Sequence, residues 1–247
     1  ECRIPYRLDL AGGWLDQPYV SKFWPGAVLT ISIEPDLEFN DRSGMSSSTR
    51  KKAVELWHTD IPDGDPQLLA RTLFCLENPP GTTYVSGSQD AIGIVYPGLN
   101  RLDYAAGEYW PEKITTVSDS EVLDWLEQRL WFITLPPRAG GFNVLDETNI
   151  SVEGARALAE SADGVWKAVL ARDIEGLGRS YKASFEAQVA MFPLMKSRVV
   201  SETIDLYKDR ALAWKLAGAG GGGYLAMVSE RPIENAIQIR IRRERTV

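Results

Sequence analysis

The stretch KLAGAGGGGY, residues 215–224, contains five glycines among the six residues from Gly218 to Gly223. Glycine costs backbone entropy when it is ordered, so such a run is typical of places where the backbone takes a positive φ or lets a ligand approach its amides. Successive N–H groups can then form an anion-binding hollow. Apolar residues on both sides, ALAW at 211–214 and YLAMV at 224–228, favour a tight turn between ordered segments over a flexible linker.

The composition is typical of an ordinary globular protein, with 44% hydrophobic and 25% charged residues. A length of 247 residues allows one large domain or two closely packed ones. The net charge, 27 basic minus 34 acidic residues or −7, gives no overall attraction to nucleic acid or to anionic lipid. No uninterrupted apolar run has membrane-spanning length. We therefore expect no nucleic-acid or membrane partner, and any phosphate site has to be built locally.

Two cysteines and one histidine restrict the chemistry. Cys2 and Cys75 make neither a disulfide framework nor a zinc-binding spacing, which favours a reducing, cytoplasmic compartment. His58 argues against histidine-rich metal sites, and a Ser-His-Asp triad would have to use this one residue. Its place, after an expected helix and before a Pro-Asp-Gly turn, is typical of a surface or capping residue.

Apolar periodicity predicts short strands first and long helices later. Alternation predicts a half-buried strand at residues 3–10, and further strands at 27–33, 37–39, 99–104, 114–117, 131–135 and 224–228. Helical spacing predicts helices over 50–57, 65–76, 121–128, 152–170, 173–192 and 197–207, with short elements at 91–95 and 236–241. Because the pattern changes near residues 137–150, we expect one domain of residues 1–140 and another of residues 141–247.

Small and hydroxyl-bearing residues, SGMSSST at 43–49, come just before the expected helix over 50–57. Unsatisfied N–H groups and the helix dipole point the same way at a helix N-terminus, so this arrangement can bind an anion. An ordinary serine N-cap is the alternative, and the residues alone leave both open. Asp90, an acid among small and apolar neighbours, is likewise either a helix cap or a catalyst.

Three segments, in this order, resemble the signatures of the GHMP kinases, the group of galactokinase, homoserine kinase, mevalonate kinase and phosphomevalonate kinase. They are RIPYRLDLAGGWLD at 3–16, SGMSSST at 43–49 and KLAGAGGGGY at 215–224. The sequence GSQD at 87–90 is similar to the Gly-x-x-Asp context of the family's sugar kinases, and GGWLD at 12–16 is similar to fucokinases and heptose-phosphate kinases. The resemblance implies a two-domain α+β fold, with a ribosomal-protein-S5-like N-terminal domain, a ferredoxin-like C-terminal domain and the active site in the cleft between them.

The resemblance also implies ATP- and Mg²⁺-dependent phosphoryl transfer to a hydroxyl of a sugar or sugar phosphate. Asp90 matches the catalytic aspartate of the family's sugar kinases, and Arg7 matches the arginine that pairs with it in galactokinases. The positions that match substrate-binding residues are Gly13, Trp14, Asp16 and Gln89. Those that match the nucleotide-binding loops are Gly44, Ser46, Ser47, Ser48, Gly218, Gly220, Gly221 and Gly222, and those that match metal ligands are Ser48 and Glu77.

Two features depart from the family's pattern. Pro35 and Ser43 lie close together, whereas family members have several tens of residues there, including much of the wall around the adenine. Ser46 replaces a glycine and puts a side chain where amides would meet phosphate, although Arg50 and two lysines follow with positive charge. The alternative function is therefore a non-catalytic relative that binds a sugar or nucleotide as a sensor or regulatory module. A small sugar is the expected partner, and whether the chain forms a homodimer stays open.

Overall fold

The computed structural model describes residues 1–36, 39, 45–136, 140–220 and 222–246. Eight strands and eight α-helices lie within this part of the chain. The strands are β1 (Tyr6–Ala11), β2 (Gly26–Ile33), β3 (Leu99–Tyr104), β4 (Lys113–Val117), β5 (Leu130–Thr134), β6 (Ala213–Leu216), β7 (Tyr224–Val228) and β8 (Ile237–Gln238). The helices are α1 (Pro18–Ser21), α2 (Ser47–Trp57), α3 (Pro66–Glu77), α4 (Ser88–Val95), α5 (Ser120–Glu127), α6 (Val152–Ala171), α7 (Ile174–Met191) and α8 (Arg198–Tyr207).

The strands form two four-stranded sheets whose pairs are all antiparallel. The first sheet has the order β1-β2-β3-β4 and the second β6-β7-β5-β8. All six residues of β1 are buried. The expectation of a half-buried strand was wrong in this respect, because α4, α6 and α7 all contact β1 in addition to its partner β2.

The long helices α6 and α7 form a hairpin that joins the two sheets. Each begins at a side-chain cap, since Ser151 accepts a hydrogen bond from the Gly154 amide and Asp173 accepts one from the Gly176 amide. Helix α6 packs on β2 and β1 of the first sheet, whereas α7 packs on β6 of the second sheet and also on β1. The hairpin therefore holds the N-terminal strand beside the end of β6, where the glycine-rich turn begins.

The expected α+β architecture is confirmed, and most predicted elements lie within a few residues of the observed ones. The element expected at 236–241 is reduced to the two-residue β8 and an isolated bridge between Ile33 and Ile241. The strand expected at 37–39 falls mainly outside the described residues, and the domain division at residue 140 stays a prediction. No helix in the described part of the chain combines the length and apolarity needed to cross a bilayer.

Candidate functional site

Arg7 lies at the centre of the candidate site and is only 5% exposed. Its Nε donates to Ser46 Oγ (2.7 Å) and its Nη1 to the Ala217 carbonyl oxygen (3.2 Å). Its Nη2 forms an ion pair with Asp90 Oδ1. One guanidinium thus joins β1, the residue before α2, the first turn of α4 and the start of the glycine-rich turn. The structure brings together Arg7, Asp90 and this turn, as the resemblance implies.

Ser46 occupies the N-cap position of α2 in a left-handed conformation, with φ 57°. Its side chain makes no capping hydrogen bond and instead donates to Asp90 Oδ1 at 2.6 Å. The ordinary serine N-cap is therefore not what the structure contains. The amides in the first turn of α2, where Ser47 and Ser48 lie, receive no side-chain cap from this position, and they remain suited to an anion.

Asp16 is 3% exposed and faces the site from the loop after β1. Its Oδ1 accepts hydrogen bonds from the Trp14 amide and from Gln89 Nε2, both at 3.2 Å. A Cβ atom at position 87 would lie 1.6 Å from Asp16 Oδ2, so Gly87 leaves the space that this carboxylate fills. Burial, reinforced by the nearby charges of Asp90 and Asp9, raises the pKa of Asp16 to about 7.

We expect the free energy of unfolding to fall between pH 5 and pH 8, and Asp16→Asn to make this fall smaller. The raised pKa of Asp16 means that up to about pH 7 the folded state holds a proton that the unfolded state has released, so the free energy of unfolding falls as pH rises towards 7 and levels off above it. One pKa unit corresponds to about 1.4 kcal/mol, so the change attributable to Asp16 is roughly 2–4 kcal/mol. Urea unfolding at both pH values measures it. An unchanged pH dependence in the variant would contradict the assignment.

Sequence reasoning missed a second buried cluster next to the site, formed by Asp9, Lys215 and Gln188. Lys215 is fully buried, and its Nζ donates to Asp9 Oδ2 (3.1 Å) and to the Leu216 carbonyl oxygen (2.8 Å). Gln188 Nε2 donates to Asp9 Oδ2 (3.2 Å) and to the Gly13 carbonyl oxygen (3.0 Å). Asp9 could have been found, since it lies two residues after Arg7 and a strand places such residues on one face. No sequence signal distinguishes Gln188.

Glu77 and Thr49 form a third group beside Asp90. Thr49 Oγ1 donates to the Glu77 carboxylate, at 2.7 Å from each of its oxygens. Burial, together with the charge of Asp90, raises the pKa of Glu77 to about 7. Ser48, which matched the metal-binding serine, is exposed, so the hydroxyl that contacts Glu77 is that of Thr49. Among the described residues no three His, Cys, Asp or Glu side chains are grouped as a complete metal site.

Residues of the first two groups, but neither Glu77 nor Thr49, surround a cavity of about 140 Å³. Its charged lining consists of one guanidinium, that of Arg7, and the carboxylates of Asp9, Asp16 and Asp90. The other lining residues are Gly13, Trp14, Gln17, Ser86, Gly87, Gln89, Gln188, Gly218 and Ala219. The four predicted substrate-binding residues thus share one cavity with the catalytic pair. Gly220 and Gly222 follow in the turn with φ 94° and 133°, and Gly44 and Gly221 lie outside the described residues.

The cavity is suited to a ligand with several hydroxyl groups. Carboxylate and amide oxygens accept hydrogen bonds, and the buried amide oxygens of Gln89 and Gln188 have no hydrogen-bond partner within the described structure. Leaving a buried acceptor unpaired costs free energy. The Arg7–Asp90 pair at the same cavity supplies a carboxylate held in place by a fixed positive charge, which is an arrangement suited to accepting a proton.

The sequence is similar to two curated fucokinases. It is 24% identical over 212 residues to a bifunctional fucokinase/GDP-fucose pyrophosphorylase of Arabidopsis thaliana, a match that covers 81% of this chain and 20% of that protein. Over 63 residues, 26% of this chain and 6% of the other, it is 43% identical to an L-fucokinase/L-fucose-1-P guanylyltransferase of Bacteroides fragilis. The chain therefore spans about a fifth of the Arabidopsis relative. No protein-family model matches it.

Several solved structures with the same fold are kinases of small molecules. Galactokinase of Lactococcus lactis, crystallised with galactose, has a TM-score of 0.64 at 15% identity, covering 92% of this chain and 85% of that one. A mevalonate kinase has a TM-score of 0.63 at 12% identity, covering 98% and 99%. A D-glycero-D-manno-heptose 1-phosphate kinase has a TM-score of 0.59 at 14% identity, covering 97% and 95%. The chain has the α+β fold of the GHMP kinases, and its sequence is similar to fucokinases.

Proposed function

We propose that this chain is an ATP-dependent kinase that phosphorylates a hydroxyl of a small sugar, fucose-like or heptose-like. The observation that carries the proposal is the part-buried Arg7–Asp90 pair, which lies in one cavity with Asp16 and the beginning of the glycine-rich turn. The similarity to fucokinases over 81% of the chain supports the same conclusion. No observation favours the non-catalytic alternative.

The residues around Asp90 suit it to the role of proton acceptor. Arg7 and Ser46 both donate to Oδ1 of Asp90, so Oδ2 is the oxygen left for the attacking sugar hydroxyl. Phosphoryl transfer leaves a protein little covalent work, and catalysis consists mainly of positioning the reactants and balancing charge. Asp90 would orient the hydroxyl and take its proton, while Arg7 offsets negative charge that develops on the transferring group.

Asp16 and Gln89 would hold the sugar. Asp16 accepts hydrogen bonds on Oδ1 from two protein donors, and its Oδ2 lies against Gly87, which keeps the carboxylate in one orientation. With a pKa of about 7, its carboxyl can either accept a hydrogen bond from a sugar hydroxyl or donate one near neutral pH. Trp14 supplies a rigid wall, since its ring stacks on Phe192 with centroids 3.9 Å apart.

The proposed cofactors are ATP and Mg²⁺. The N-terminus of α2 beside Ser47 and Ser48, which receives no side-chain cap from Ser46, would bind phosphate together with the turn through Gly218, Gly220 and Gly222. Glu77, with Thr49 beside it and Asp90 nearby, offers the oxygen ligands that Mg²⁺ prefers. Its pKa is raised first by burial and then by the charge of Asp90, and a bound cation would oppose both effects. Bound Mg²⁺ would neutralise charge on the nucleotide phosphates. We also propose that the protein acts in the cytoplasm. Size-exclusion chromatography of a tagged extract would show whether it forms a homodimer.

The test is a phosphotransfer assay with pure protein, ATP, Mg²⁺ and a panel of fucose, galactose and heptose phosphates. We expect sugar-stimulated release of ADP and a phosphorylated sugar seen by mass spectrometry, both lost when Mg²⁺ is omitted. The negative control is the Asp90→Asn variant, whose side chain has nearly the same size as that of the aspartate. ADP release that no sugar stimulates, with no phosphorylated product from any member of the panel, would refute the proposal.

A further inference from the structure

A second, larger groove opens beside the cavity lined by Arg7, Asp16 and Asp90, which we call the acceptor cavity. It has a volume of about 670 Å³ and shares Trp14, Gln17 and Ser86 with the smaller cavity. Ligand pockets usually measure about 300–1,000 Å³, so the 140 Å³ cavity alone is small and the groove falls within the usual range. The two spaces adjoin at the shared residues. A ligand held by Asp16 would therefore extend into the groove if it had a second part.

Aromatic rings, aliphatic side chains and uncharged polar groups line the groove. Three tyrosines, Tyr19, Tyr84 and Tyr109, face it, and Tyr84 and Tyr109 are 73% and 41% exposed. Asn143 and Thr148, which come later in the chain, add an amide and a hydroxyl group to the lining. None of its lining residues in the described part of the chain carries a charge. Because an anionic group needs a paired cation when it leaves water, this lining suits a neutral occupant.

Hydrogen bonds fix the groove to α4, the helix that carries Asp90. Gln17 Nε2 donates to the Val85 carbonyl oxygen at 3.0 Å, which ties the loop after β1 to the segment before α4. Ser88 lies in α4, two residues before Asp90, and its hydroxyl donates to the Tyr109 carbonyl oxygen at 2.6 Å. The groove is therefore held in a fixed position relative to Asp90 and needs little rearrangement before it can bind.

From this chemistry we infer that the groove binds a second sugar ring, so that the acceptor is a neutral disaccharide or a longer saccharide. Tyrosine rings present an apolar face to the C–H groups of a sugar ring, while their hydroxyls and the nearby amide meet its O–H groups. The inference rests on the proposed function, because it assumes that the first ring lies in the acceptor cavity. It extends that function by naming the size and charge of the substrate.

The experiment measures binding by calorimetry without ATP, comparing fucose and galactose with neutral disaccharides that have either sugar at the reducing end. We expect at least one disaccharide to bind about tenfold more tightly than its monosaccharide, and Tyr84→Ala to remove most of this advantage without changing monosaccharide affinity. The matched control is Leu206→Ala, which truncates a side chain of similar exposure, 71%, on α8 outside the groove and the cavity. The control should change neither affinity.

Three results would overturn the inference. Disaccharides that bind no better than monosaccharides would do so, as would an advantage that survives Tyr84→Ala. Alkyl or aryl glycosides that show the advantage in place of disaccharides would assign the groove to an apolar group. The phosphotransfer assay separates this from the proposed function, since a protein that phosphorylates monosaccharides but gains nothing from a second ring loses only the inference.

Discussion

Asp90→Asn is expected to lower kcat for sugar phosphorylation by about 10²- to 10⁴-fold, the usual contribution of a positioned general base. An asparagine keeps an oxygen that can accept the hydrogen bonds from Arg7 and Ser46, so the neighbours of Asp90 remain in place. It removes the negative charge and the capacity to take a proton. The KM for the sugar should change much less, because Asp16 and Gln89 are untouched. Steady-state kinetics with ADP detection measure both constants.

The matched control for this variant is Asp163→Asn. Asp163 also pairs with an arginine, Arg101, at 2.7 Å, but this pair lies outside the cavity and the aspartate is 48% exposed. We expect its kinetics to be unchanged. A loss of less than tenfold in Asp90→Asn, equivalent to about 1.4 kcal/mol in the activation barrier, would mean that another group accepts the proton. Thermal unfolding of both variants shows whether a loss of turnover reflects a loss of folding.

Lys215→Met is expected to destabilise the protein by about 3–5 kcal/mol at pH 7. Lys215 is fully buried and Asp9 nearly so, and removal of the ammonium leaves the Asp9 carboxylate without its paired charge. Burial lowers the pKa of Lys215, although the facing Asp9 opposes that shift. Urea unfolding measures the loss. The double variant Asp9→Asn/Lys215→Met should recover much of the lost stability. An asparagine can still accept a hydrogen bond from the Gly13 amide, and it carries no charge.

Lys208→Met is the control for the effect of losing a lysine. Lys208, the residue after α8, pairs with Asp205 at 3.2 Å, and both side chains are more than half exposed. Exposed pairs of this kind contribute about 0–1 kcal/mol. If Lys215→Met were no more destabilising than Lys208→Met, the charge pair with Asp9 would not be what stabilises this part of the fold. If the double variant recovered nothing, the cost would lie in the lost packing of the lysine stem.

Much of the architecture could be predicted because its signals are local. Alternation in β1 and β2, helical spacing in α6 and α7, and the glycines after Lys215 each follow from residues close in the chain. The family resemblance then placed Arg7 and Asp90 near each other. The burial of β1 on both faces could not be predicted, because it depends on three helices that come 77 or more residues later.

Contacts between distant residues explain what the sequence could not indicate. Gln188 is 179 residues from Asp9 in the chain, and its surroundings in α7 resemble any other turn of an amphipathic helix. Ser46 was expected to contribute to a phosphate loop, whereas its hydroxyl contacts Arg7 and Asp90. The direction of one side chain at a left-handed backbone position is decided by its neighbours in space, which a linear pattern does not contain.

The hydrogen bond from Arg7 to the Ala217 carbonyl oxygen spans 210 residues, and the Asp9 amide donates to the same oxygen at 3.3 Å. Polypeptides leave the ribosome from the N-terminus onward, and the earliest part folds first. A translation product that stops before Ala217 can contain Arg7, Asp16 and Asp90. It lacks the carbonyl oxygen that accepts a hydrogen bond from Arg7 Nη1. Chains that stop before Ala217 are therefore expected to lack the complete setting of Arg7, however well their N-terminal strands fold.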